Sequence, residues 1–103
     1  MPRFVYPAAI LAKRMNDERV TTHRLAADIG VPSGRITEML HRKRGISPDT
    51  AARLGHWFGD GDGGWSWLEA QARHDLRVAI KALARDRADS PTHRTSIKRG
   101  RAR

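Results

Sequence analysis

Between positions 22 and 44 the chain gathers side chains that donate hydrogen bonds or carry positive charge. They are Thr22, His23, Ser33, Arg35 and Thr37, followed by the run Arg42, Lys43 and Arg44. Ser33 and Thr37 stand four residues apart, so a helix would turn them outward together, and Arg35 between them is read as exposed on the same helix. An arginine fork matches the O6 and N7 acceptors of a guanine edge, and flanking cations hold phosphates. Arg35 equally suits a phosphate contact or a solvated position. Thr22 and His23 would open a preceding helix, where N-termini commonly meet a phosphate. This is the chemistry of holding a polyanion with readable edges, not of making or breaking bonds.

Catalytic and metal-binding sets are missing from the rest of the sequence. The chain has no cysteine, which removes disulfides, thiol catalysis and the usual zinc fingers and is compatible with a reducing cytoplasm. His23, His41, His56, His74 and His93 are scattered without ligand spacing, and no Ser-His-Asp set, phosphate loop or carboxylate pair is recognisable. Asp60-Gly61-Asp62-Gly63-Gly64 has the look of a calcium loop, but the carboxylate such a loop needs at its twelfth position is here Gln71. It reads as a flexible turn. No enzyme activity, cofactor or metal is expected.

The bulk properties point the same way. A formal net charge of +9 on 103 residues favours a polyanionic partner. Hydrophobic residues make up 39%, enough for one modest core. No apolar stretch suggests a signal peptide or a membrane span, so the expected location is cytoplasmic.

Five helices are expected to position these groups, giving an all-α fold. The first runs from about Pro7 to Asp17, with Ile10, Leu11 and Met15 at helical spacing. Thr21 caps the second, whose Leu25, Ala26 and Ile29 share a face until Gly30 stops it. Pro32 opens the third, carrying Ile36, Met39 and Leu40 inward. Ser47 caps the fourth, with Pro48 first and Ala51, Ala52, Leu54 and Trp57 to follow. After the breaker-rich stretch Gly59 to Gly64, a last helix runs from about Trp65 to Arg87. Its apolar stripe is Trp65, Leu68, Ala72, Leu76, Ala79 and Leu83. The first half of that stripe is expected in the core, and the stripe as a whole is expected to pair two copies as a homodimer. Residues 1–87 thus form the domain. Residues 88–103 read as a disordered basic tail, suited either to extra phosphate contact or to solubility.

Residues 22–41 meet the local demands of a helix-turn-helix. Ala26 is small where the first helix touches the second, Gly30 accepts a positive φ at the turn, and Ile36 anchors the second helix on the first. An ordinary helical hairpin shares the glycine turn; the polar face at Ser33, Arg35 and Thr37 is what points to a DNA groove.

The sequence also resembles a known family. Leu25-Ala26, Gly30-Val31-Pro32, Arg35-Ile36-Thr37-Glu38 and Lys43-Arg44-Gly45-Ile46 are similar to the HigA-type antitoxins. These form a VapI-like subgroup of the XRE, or lambda-repressor-like, helix-turn-helix superfamily. The match continues through Asp49-Thr50-Ala51, Arg53-Leu54, Phe58-Gly59, Trp67-Leu68, Gln71 and Asp75-Leu76. The resemblance implies a dimeric five-helix bundle on a palindromic operator. It also implies a partner toxin, HigB, a ribosome-dependent mRNA endonuclease that the antitoxin inhibits while repressing the operon of the pair. Ala70 and His74 depart from the family's pattern, and the loop from Gly59 to Trp67 is longer than usual. Two other readings share the same charge: a stand-alone repressor without a toxin, and an RNA- or protein-binding module.

Overall fold

The computed structural model describes residues 6–86, and within them the expected all-α fold is found. The order is α1 (Pro7–Asp17), α2 (Thr22–Ile29), α3 (Ser33–Leu40), α4 (Pro48–Phe58) and α5 (Trp65–Asp86), with no strand among the described residues. The expected basic tail lies outside them.

Local chemistry sets the boundaries. The Thr21 hydroxyl accepts the Arg24 N–H at 3.1 Å and so starts α2. Gly30 ends it in the left-handed region, φ 79°, its N–H returning to the Ala26 carbonyl at 2.9 Å. α3 follows directly, with Pro32 standing just before its first turn rather than inside it. Ser47 accepts the Thr50 N–H at 3.2 Å to start α4, with Pro48 in the first turn.

One core holds the bundle. Leu11 and Met15 of α1, Leu25, Ala26 and Ile29 of α2, Ile36 and Met39 of α3, Ile46, and Ala51 and Leu54 of α4 bury together around Trp67. α3 packs on α2 and α1, while α5 lies against α4 and α1.

The phase of α5 differs from the expectation. Trp65 is 60% exposed, and the core tryptophan is Trp67 at 2%. Two residues apart on a helix means roughly 200° of rotation, so only one of the pair can face inward. Backbone packing selects Trp67. A Cβ built on Gly64 would lie on top of the Ala51 carbonyl, and one on Gly55 would meet the Gly64 backbone at 2.6 Å. The loop therefore enters α5 in direct contact with α4, with Gly64 at φ 98°. The expected stripe consequently turns away from the bundle. Leu68 packs partly on the core, but Ala72, Leu76, Ala79 and Leu83 are exposed, as is Ile80 beside them.

Candidate nucleic-acid interface

On α3, burying Ile36 and Met39 leaves Ser33, Gly34, Thr37, Glu38 and His41 exposed. Ser33 and Thr37 thus stand on the outward face as expected, and the Thr37 hydroxyl donates back to the Ser33 carbonyl at 3.2 Å. Arg35 departs from the expectation: it is half-buried, not fully exposed. It lies one turn before Met39 and so on the flank of the face, where an arginine shields its stem and delivers its head at the edge.

The three cations after α3 have different settings. Arg44 donates through Nε to Glu38 Oε1 at 2.9 Å, so its charge already offsets the one acid on the outward face. Arg42 follows the helix at φ 60°, and its guanidinium carbon lies 3.6 Å from the centroid of the Tyr6 ring. Lys43 is exposed and fastened by its backbone N–H to the Glu38 carbonyl at 2.8 Å. At the start of α2, His23 is exposed and Thr22 half-buried. Sequence reasoning missed Glu38 and Tyr6 as neighbours of the basic run. Nothing in spacing brings position 6 to position 42.

Behind this surface, long-range polar contacts fix the scaffold. Arg14 of α1 makes a bidentate pair with Asp60, both bonds at 2.9 Å, and stacks 4.3 Å from the Phe58 ring centroid. Asp60 also accepts the Trp67 indole N–H at 3.0 Å. Asp62 caps α5 instead of a cation, accepting the Gly64 and Ser66 N–H groups at 2.9 Å each. Both acids of the glycine-rich loop are thus engaged with the protein itself. Among the described residues no cluster of three or more His, Asp or Glu is placed to hold a metal ion. Arg53 reaches from α4 to the Ile29 carbonyl at 2.6 Å and braces the turn at Gly30.

These contacts set a pH dependence. The Arg14 guanidinium, with the Trp67 N–H, holds Asp60 below its ordinary pKa, and Asp60 in turn raises Arg14. Backbone N–H groups of Gly64 and Ser66 lower Asp62, and the Trp57 indole N–H with Arg24 lowers Asp28. A carboxylate with a depressed folded pKa stabilises the fold above the unfolded value, near 3.9, and loses that contribution as pH falls through the folded one. Urea denaturation should therefore show stability declining between about pH 5 and pH 2. A flat profile across that window would contradict the network.

Two short helices set by a glycine turn, three helices bracing them and a polar outward face with flanking cations define a helix-turn-helix domain of the lambda-repressor-like class. No family model matches the chain. It is 38% identical over 76 residues to Virulence-associated protein I of Dichelobacter nodosus, a match covering 73% of this chain and 68% of that protein. Among solved structures it is similar to an addiction-module antidote protein of the HigA family from Coxiella burnetii. That likeness has a TM-score of 0.76 at 29% identity, over 88% of this chain and 98% of the other. It is also similar to a Pseudomonas aeruginosa protein solved in complex with its 28-bp operator DNA (TM-score 0.76, 25% identity, 87% of this chain and 100% of that one). The chain belongs to the HigA-type antitoxin family, in its VapI-like subgroup. Its members here are antitoxins and DNA-binding regulators, not enzymes.

Proposed function

We propose that this chain is the antitoxin of a type II HigBA-like pair, binding and inhibiting an mRNA-endonuclease toxin and repressing the operon that encodes both. On this reading it works in the cytoplasm, as a homodimer on a palindromic operator. The observation that carries the DNA half is the outward face of α3. Ser33 and Thr37 lie on it, Arg35 on its flank, and Arg42 and Lys43 just beyond its end. Thr22 and His23 open α2 as candidates for a flanking phosphate. Operator binding by the Pseudomonas relative supports the same use of this fold.

The dimer is supported by the outer side of α5. Trp65, Leu76, Ile80 and Leu83 are each more than half exposed, and Ala72 and Ala79 are exposed with them. Such a stripe is what a second copy would cover, and two-fold symmetry would join two weak half-sites into one tight one.

The toxin half is tested by co-expression. Production of the neighbouring gene product should arrest growth, and co-production of this chain should restore it. Continued arrest with the chain present and folded would sink the antitoxin role and leave a stand-alone repressor.

A further inference from the structure

Resting on the reading that α3 faces duplex DNA, we propose that Tyr6 is a positioning residue for that binding. Its ring holds the Arg42 guanidinium as a preset phosphate clamp at the end of the recognition helix.

Arg42 adopts φ 60°, a conformation that residues other than glycine avoid, so contacts must hold it there. They converge from three sides. The Arg42 N–H bonds the Met39 carbonyl at 3.1 Å, tying the residue to the last turn of α3. Its guanidinium lies over the Tyr6 ring, and that ring makes a T-shaped contact with His74 of α5, centroids 5.1 Å apart at 61°. On the far side of the basic run, Gln71 of α5 accepts the Ile46 N–H at 2.9 Å and donates to Asp75 at 2.9 Å. The strand of chain between is drawn close: a Cβ at Gly45 would come within 2.9 Å of the Gln71 amide. Residues 42–46 are therefore tied to α5 directly at Ile46 and, through the Tyr6 ring, at Arg42, around a cavity of about 240 Å³.

The geometry of stacking explains why a ring serves here. A cation–π contact uses the flat face of the guanidinium, while its N–H donors radiate in the plane and stay available for phosphate oxygens. Holding the side chain in one place before DNA arrives removes much of the rotamer entropy that binding would otherwise cost. Arg44 is anchored differently, by one Nε donation to Glu38 that offsets part of its charge.

The test measures binding to a random-sequence duplex, where phosphate contacts dominate, as a function of salt. Tyr6→Leu should weaken binding about two- to fivefold per bound chain. Because the Arg42 charge remains, the slope of log affinity against log salt should stay nearly the same in Tyr6→Leu, whereas Arg42→Ala removes the contact itself and should lower that slope by roughly 0.9. Tyr6→Phe keeps the ring and should keep both quantities. In an Arg42→Ala background, Tyr6→Leu should add nothing. Partial unfolding would lower the active fraction equally with or without Arg42, so the Arg42→Ala background and rescue by Tyr6→Phe separate positioning from a merely structural role. Unchanged affinity in Tyr6→Leu, or equal further loss in the Arg42→Ala background, would overturn the inference. Absence of duplex binding by the unaltered chain would instead overturn the DNA reading beneath it.

Discussion

Replacing Trp67 by alanine is expected to destabilise the domain by about 3–5 kcal/mol, the range for deleting a large buried aromatic. Trp67 is 2% exposed and sits at the centre of the core. Its ring lies 5.6 Å from Phe58, and its N–H is one of the partners that keep Asp60 satisfied next to Arg14. The substitution therefore opens a cavity and also strips a donor from a partly buried carboxylate. Domains of this size are stabilised by roughly 5–15 kcal/mol, so the loss is a large part of the whole. Trp67→Phe keeps an aromatic ring in the core but loses the N–H and part of the indole volume, which should cost less, about 1–3 kcal/mol. Trp65→Ala removes a tryptophan that is 60% exposed and should change the stability of the folded chain by no more than about 0.5 kcal/mol at concentrations where it is monomeric. Urea denaturation of the three variants checks the account. Similar losses for Trp65→Ala and Trp67→Ala would contradict the phase of α5.

Arg35→Ala is expected to cost roughly 1–3 kcal/mol of binding to the specific duplex while leaving random duplex nearly unaffected. The half-burial of Arg35 sharpens this prediction. A half-buried arginine on the flank of α3 has fewer orientations than a fully exposed one, so its fork would approach a groove from one edge. If its partner is a phosphate, the variant weakens all duplexes alike and the salt slope falls by roughly 0.9. Paired titrations on operator and random duplexes distinguish the two outcomes.

How far the sequence foretold the structure depends on the range of the forces involved. The starts of α2 and α4 were legible because Thr21 and Ser47 act on N–H groups three residues away, and the end of α2 because Gly30 reports its own backbone. The outward position of Ser33 and Thr37 followed from the inward one of Ile36 and Met39. The phase of α5 was not legible. Trp65 and Trp67 both continue an apolar pattern, and the choice is made by the contact of Gly64 with the α4 backbone and by Asp60 meeting Arg14 across 46 residues. The same holds at the candidate interface. The basic run 42–44 was visible as charge, but the pairing of Arg44 with Glu38 and the stacking of Arg42 on Tyr6 divide it into cations with different duties.

The central claim is that this domain recognises its operator through α3. The most direct test is the affinity of the purified chain for the duplex immediately upstream of its own operon, against a shuffled duplex of the same composition at physiological salt. The account predicts a preference of at least about a thousandfold, with two protected half-sites about one helical turn apart. Equal affinity for the two duplexes would contradict it.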